Sequence, residues 1–244
     1  MQPQSRFKRI EKKYRLTPSQ YEALQPLLLP YLQADEFACS QINNLYYDTP
    51  DHRLIRTSLE KPVYKEKLRL RCYSTPGEET PAFAEVKKKF KGVVYKRRLV
   101  LPYGEALGWL SGEQREFPCE DRQVAREIEY FLRFYGSLSP AMALFYDRLS
   151  YKGREDPRLR ITFDDNIRWR TTELDLTKGR HGTPLFAEKE ILMEIKVPGA
   201  FPLWLSAMLN ACGIYPVSCS KYGIAYRAWK SGGEADYKGG NNDV

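Results

Sequence analysis

The sequence is poor in the residues that build most metal centres and nucleophilic sites. Its 244 residues include two histidines, His52 and His181, and five cysteines. The cysteine count is odd and contains no CxxC, which argues against a disulfide framework and against a zinc site. No apolar run is long enough to span a bilayer: residues 204–215 come nearest, and Ser, Asn and Gly interrupt them. Residues 1–13 are polar and basic with no apolar stretch, so no secretory signal is expected. There is no internal repeat, no low-complexity linker, no RNP-like aromatic motif, no helix-turn-helix pattern and no basic helix. Hydrophobic residues make up 42%, aromatics 13% and charged residues 29%, an ordinary globular balance. The length suits one large domain or two small ones. The expectation is a soluble protein of a reducing, cytoplasmic compartment.

Charge is unevenly spread. The chain carries 39 Lys and Arg against 31 Asp and Glu, a formal net charge of +8. Residues 61–100 hold 12 basic and 4 acidic side chains, and so contain the whole surplus; 27 of each sign remain elsewhere. A local excess of this kind implies an anionic partner: nucleic acid, a membrane surface or phosphate.

Three helices are legible. Thr17-Pro18-Ser19-Gln20 combines an N-cap, a proline in the first turn and a capping-box glutamine. Tyr21, Leu24, Leu27 and Leu28 follow at helical spacing, with Pro26 and Pro30 limiting the length. Residues 121–135 place Val124, Ile128, Phe131, Leu132 and Tyr135 on one side, and residues 201–211 form the third. Most of the rest alternates with the period of a strand. In residues 64–73 the odd positions carry Lys65, Lys67, Arg69 and Arg71, and the even ones include Leu68, Leu70 and Cys72. In residues 83–91 Glu85, Lys87, Lys89 and Lys91 alternate with Ala84, Val86 and Phe90. Residues 158–164 and 191–197 follow the same rule.

Each strand therefore has one apolar and one charged face. A sheet with one face in water explains any single strand. The set is harder to explain, because like charges opposite each other across strands repel. The arrangement becomes reasonable if the charged faces converge on a strongly anionic ligand, as in a closed antiparallel barrel with its apolar face outward against helices. The expected class is α+β: a closed antiparallel β-barrel with flanking helices over residues 1–230. Residues 231–244, rich in Gly, Asn and Asp, are expected to be a disordered tail.

Seven short motifs occur in order: Arg9-x-Glu11-x-Lys13-Tyr14, Leu68-Arg69-Leu70-Arg71, Glu85-Val86-Lys87, Tyr146-Asp147-Arg148, Arg160-Ile161-Thr162-Phe163-Asp164, Glu194-Ile195-Lys196 and Ser220-Lys221-Tyr222. This order resembles the polyphosphate polymerase domain of the vacuolar transporter chaperone (VTC) family in its stand-alone prokaryotic form. That family belongs to the triphosphate tunnel metalloenzymes. The resemblance runs from about Phe7 to about Trp229. It implies an eight-stranded antiparallel β-barrel tunnel with flanking helices and basic walls, in which the γ-phosphate of ATP passes to a growing polyphosphate chain with Mn²⁺ or Mg²⁺ bound. Carried over residue by residue, Lys13, Arg69, Arg71, Lys87, Arg148, Lys196 and Lys221 would contact phosphates. Arg160 and Ser220 are second choices, Glu194 would be the metal ligand, and Glu11 and Glu85 would be supporting carboxylates. Implied ligands are ATP, polyphosphate, pyrophosphate and tripolyphosphate, and a membrane-protein partner is left open as what would bring the protein to a membrane.

The physical chemistry agrees with these assignments. Phosphoryl transfer needs positioning and charge neutralisation more than covalent help. Arginine forks match phosphate geometry and lysine acts as a point charge. A hard cation bridging phosphates wants one or two protein carboxylates. The chain departs from the ExExK opening of the cyclase and thiamine triphosphatase type, because Arg9 stands at the first acidic position. That favours the polymerase branch and suggests that Glu11 and Glu85 hold Arg or Lys side chains in place. The alternatives are a tripolyphosphatase or nucleoside triphosphatase on the same scaffold and a non-catalytic polyphosphate-binding module; nucleic acid is not the expected partner. The run Lys88, Lys89, Lys91, Lys96, Arg97 and Arg98 reads as a solvated face. Tyr14, Tyr46, Tyr47 and Tyr146 read as core or wall aromatics, Cys72, Cys212 and Cys219 as small buried hydrophobes, and His52 and His181 as solvated loop residues.

Overall fold

The computed structural model describes residues 9–91, 93–113, 121–186 and 189–232. In chain order the elements are β1 (Arg9–Leu16), α1 (Pro18–Leu28), β2 (Leu32–Asp48), α2 (Arg53–Leu59), β3 (Tyr64–Cys72), β4 (Pro81–Phe90), β5 (Val93–Pro102), α3 (Tyr103–Ser111), α4 (Arg122–Tyr135), β6 (Ser139–Gly153), β7 (Arg160–Arg170), β8 (Thr183–Pro184), β9 (Ile191–Pro198), α5 (Leu203–Ala211) and α6 (Lys221–Lys230). Hydrogen bonding orders the strands β1-β9-β7-β6-β2-β3-β4-β5, with the two-residue β8 beside β7. These are the eight expected strands with one short addition. The path is open among the described residues, ending at β1 and β5, so the closed hydrogen-bonded barrel is corrected to an open order. The edge strand β5 carries Lys96, Arg97 and Arg98, a charged dressing that discourages further strand pairing.

The chain forms two compact units. The first comprises Met1–Gln41, Tyr146–Ile167 and Phe186–Cys219. In it β1 pairs with β9, and β9 with the first half of β7, all antiparallel. Tyr14, Leu16, Ile161, Phe163, Met193 and Ile195 form the apolar side and pack with Leu24 and Leu28 of α1 and Leu205 and Leu209 of α5. The α1 capping box is present: Thr17 Oγ1 accepts from Gln20 N at 3.2 Å, and Gln20 Oε1 accepts from Thr17 N at 3.1 Å. Pro26 lies inside α1 rather than ending it. Leu27 is 41% exposed, because the buried stripe runs through the i, i+4 pair Leu24 and Leu28.

The second unit comprises Ile42–Phe145, Arg168–Leu185 and Ser220–Val244. Here β2, β3, β4 and β5 form an antiparallel meander. Leu45, Tyr47, Leu68, Leu70, Ala84, Val86 and Leu99 pack with Trp109 of α3 and Ile128 and Phe131 of α4. Asp121 caps α4 by accepting from Val124 N at 3.1 Å. Three helices, α2, α3 and α6, were not expected. α2 has seven residues, too few to show a period, and owes its start to buried Asp48. That carboxylate accepts from Leu54 N at 2.8 Å, Ile55 N at 3.0 Å and the Tyr222 hydroxyl of α6 at 2.9 Å.

Smaller expectations divide. Cys72 is buried, whereas Cys212 and Cys219 are half-buried. Phe90, expected on an apolar face, is 44% exposed. His181 is exposed and pairs with Glu173. His52 is not a solvated residue: it sits at the start of α2 against the Tyr226 and Trp229 rings. Most of the expected tail, residues 233–244, lies outside the described residues. No described helix is long and apolar enough to cross a membrane.

Candidate phosphate-binding faces

Antiparallel partners share a face, so the strand registers sort the charged side chains directly. In the first unit one cross-strand row is Lys13–Glu194–Thr162 and the next is Glu11–Lys196–Arg160. Lys13 Nζ donates to the Cys219 carbonyl at 3.1 Å. It also lies 3.7 Å from Glu11 Oε1 and 3.8 Å from Glu194 Oε2. Lys196 pairs with the other oxygen of Glu194. Arg148, from β6, clasps fully buried Asp164 through Nε to Oδ1 at 2.6 Å and Nη2 to Oδ2 at 2.8 Å. Burial works against the Arg148 charge, but Tyr146, Asp164 and Glu194 outweigh it and hold the guanidinium protonated more firmly than usual. Arg160 is exposed and pairs with Asp35.

Two carboxylates thus converge on one ammonium. A third oxygen lies beside them: Thr162, opposite Glu194, has a buried hydroxyl with no hydrogen-bond partner. Hard oxygen donors of this kind suit Mg²⁺ or Mn²⁺, which take one or two carboxylates and fill their remaining positions with water and phosphate oxygens. Among the described residues no group of three His, Cys, Asp or Glu side chains gathers as a full metal cage. The residues fit a metal shared with a phosphate rather than one held by protein alone.

In the second unit the polar rows are Arg69–Glu85–Arg98 and Lys67–Lys87–Lys96. Glu85 is 1% exposed and serves several cations: Arg69 Nε donates at 2.7 Å, Lys96 pairs with Oε1, and Arg98 lies 3.8 Å away. Burial pushes its carboxyl up, but Arg69, Arg71 and Lys96 prevail and hold it at about 2. Tyr46 lies opposite Arg69 and stacks on Tyr222 with ring centroids 4.3 Å apart. Burial raises its phenol, yet the charges of Arg69, Lys67 and Arg71 and a 3.4 Å hydrogen bond from Arg69 bring it down to about 8. Arg71 is buried and donates to Asn44 Oδ1 at 2.9 Å. Ser220 caps α6, accepting from Gly223 N at 3.2 Å and from Lys67 Nζ at 3.1 Å, and Lys221 opens that helix.

Every sequence-predicted residue therefore lies on one of two polar faces or at the α6 N-terminus. Lys13, Arg148, Arg160, Glu194, Lys196 and Glu11 gather in the first unit. Arg69, Arg71, Lys87, Glu85, Ser220 and Lys221 belong to the second. Glu11 lies 3.7 Å from Lys13, and Glu85 pairs with Arg69. Sequence reasoning passed over Lys67, Lys96, Arg98, Tyr46 and Thr162. For Lys67 the signal was parity with Arg69 and Arg71; Lys96 and Arg98 were hidden in a run read as solvated. A cavity of about 340 Å³ between α2, α4 and β3 is lined by Arg53, Glu66, Tyr130 and Tyr135 and by none of the predicted residues.

The fold is shared with solved proteins. A candidate adenylate cyclase from Bacillus halodurans superposes with a TM-score of 0.53 at 17% identity, over 86% of this chain and 92% of that one. A candidate adenylyl cyclase from Hippeastrum with a dominant triphosphatase activity gives 0.48 at 16% identity, over 92% and 96%. A candidate adenylate cyclase from Vibrio parahaemolyticus gives 0.49 at 12% identity, over 91% and 99%. No curated protein matches the sequence. The sequence profile of the VTC domain matches residues 8–230. With that match covering nearly the whole chain, this protein belongs to the VTC domain family.

Proposed function

We propose that this protein is a metal-dependent polyphosphate polymerase. A terminal oxygen of inorganic polyphosphate attacks the γ-phosphorus of ATP, the β–γ bridging oxygen leaves with ADP, and the chain grows by one phosphate. VTC membership supports a polyphosphate-related or triphosphatase role. The polymer is favoured by one observation above the others. Lys67, Lys87 and Lys96 stand directly opposite one another on three adjacent strands. Like charges so placed destabilise a sheet. They are tolerable when a polyanion lies along them.

On this reading Arg69 and Arg71 orient phosphate oxygens as forks, and Lys67, Lys87 and Lys96 neutralise charge along the chain. In the first unit Lys13, Lys196 and Arg148 offer cations to phosphate oxygens, with Asp164 fixing the Arg148 fork. Arg160, Ser220 and Lys221 are peripheral phosphate contacts. Glu194, with Glu11 and the Thr162 hydroxyl beside it, would hold Mn²⁺ or Mg²⁺. Such an ion neutralises charge on the phosphoryl oxygens when bound. The test is time-resolved product analysis with ATP and Mn²⁺. The proposal expects ADP and a polyphosphate ladder, both lost in Lys196→Ala. Orthophosphate without a ladder would make the protein a triphosphatase. Tight, salt-sensitive polyphosphate binding with no turnover would make it a binding module.

A further inference from the structure

The distal end of the β4–β5 hairpin has an exposed apolar character that phosphate binding does not require. On one face Phe90 lies opposite Val93 and Lys88 opposite Tyr95; on the other, Lys89 lies opposite Val94. Tyr64 of β3 lies opposite Phe90, with Val63 just before it. Val63, Tyr64, Phe90, Val93, Val94 and Tyr95 are all between 44% and 63% exposed. Clustered exposed apolar side chains of this kind mark an interaction site. Cations accompany them. Lys88 and Lys89 immediately precede Phe90, and the Lys91 ammonium lies 5.4 Å from the Phe90 ring centroid.

We propose that this hairpin end inserts into the interface of an anionic lipid bilayer. Apolar side chains emerge from both of its faces. A protein partner would cover one face of this sheet end, which β3 extends to three strands, whereas a lipid interface surrounds both. The spacing also suits lipid. Strand rise is about 3.3 Å per residue, so Lys88 and Lys89 lie within roughly 7 Å of the apolar end. An interfacial segment sits about 5–10 Å deep, which leaves those ammonium groups among lipid phosphates. Tyrosine at this position matches the preference of amphipathic rings for the headgroup level. Cationic side chains near the surface add attraction to anionic lipid that salt screens. The inference stands apart from the polymerase reading, because neither Phe90 nor Val93 belongs to a phosphate face.

The test is co-sedimentation with vesicles of phosphatidylcholine alone and of phosphatidylcholine with phosphatidylserine. Wild type is expected to bind the anionic vesicles and not the neutral ones. Phe90→Glu combined with Val93→Glu should weaken binding about thirtyfold or more. Lys88→Ala combined with Lys91→Ala should weaken it about tenfold and flatten its salt dependence. An unchanged melting temperature and an unchanged response to tripolyphosphate establish that the variants are folded. Three results would overturn the proposal: no association with anionic vesicles, undiminished binding by Phe90→Glu/Val93→Glu, or complete displacement by tripolyphosphate. Loss of self-association in that variant, without vesicle binding in wild type, would make the hairpin a protein interface instead.

Discussion

The two polar faces use the same alternation of strand residues to opposite electrostatic ends. In the first unit the cations of this face lie beside carboxylates. Lys13 and Lys196 share Glu194, Arg148 has Asp164, Arg160 has Asp35, and Arg15 donates to Glu190 at 2.5 Å. In the second unit Glu85 serves Arg69, Lys96 and Arg98, and the neighbouring row is lysine throughout. The first face is electrostatically balanced and offers oxygen donors. In its two rows the second sets five cations against one carboxylate. One pattern of hydrophobic periodicity thus yields a face of paired charges and a more basic face, depending on where acidic residues are interleaved.

That contrast predicts different responses to mutation. The largest effect is expected on turnover. Lys196→Ala and Glu194→Ala should each lower the rate by about 10²–10³-fold, the scale of removing one group that stabilises developing charge. Steady-state kinetics on folded protein would check this; rates near wild type would make the first face structural. Next in size is stability. Asp164→Asn leaves Arg148 facing a neutral amide in a buried site and should cost about 3 kcal/mol in denaturant unfolding. Lys67→Ala loses the hydrogen bond to Ser220 but relieves repulsion from Lys87, and should cost less than about 1 kcal/mol. Equal losses for both variants would erase the distinction between the faces.

A smaller effect concerns acid. The Glu85 carboxyl is held at about 2, below its ordinary 4.5. A carboxyl lowered on folding contributes its stability above the unfolded value and loses it as pH falls toward the folded one. Wild type should therefore lose stability between about pH 4.5 and 2. Glu85→Gln should start less stable at neutral pH and change less across that window, as followed by thermal unfolding. The smallest effect concerns Tyr46. Its phenol ionises at about 8 among Arg69, Lys67 and Arg71. Phenolate competes with phosphate for those cations, so tripolyphosphate affinity should fall as pH rises through about 8. Tyr46→Phe should remove that step, as calorimetric titration across the range would reveal.

The sequence made some of this legible and hid the rest for physical reasons. Period-2 alternation reported the strands and their two faces, since Leu68 and Leu70 on one side and Arg69 and Arg71 on the other are separated by nothing but parity. The Thr17 capping box located the start of α1. The helices that went unseen were short or started by a distant group. Asp48 begins α2 through amides six and seven residues on, and Tyr222 completes that site from 174 residues away. Partners across strands were equally invisible. Nothing in Glu85 alone reveals that it holds three cations, and nothing in Thr162 reveals that it stands opposite Glu194. Register is a product of folding, and the chemistry of both faces is written in register.

The most direct test of the account is the melting temperature of the protein against pyrophosphate, tripolyphosphate and long-chain polyphosphate. Binding to the native state alone stabilises it in proportion to the logarithm of ligand concentration once the site is saturated. The account predicts such a rise, steeper in onset for longer chains and weakened about five- to tenfold in apparent affinity by Lys87→Ala, with the ligand-free melting temperature of that variant unchanged or higher. No shift at millimolar tripolyphosphate, or a Lys87→Ala protein that melts early and binds normally, would contradict it.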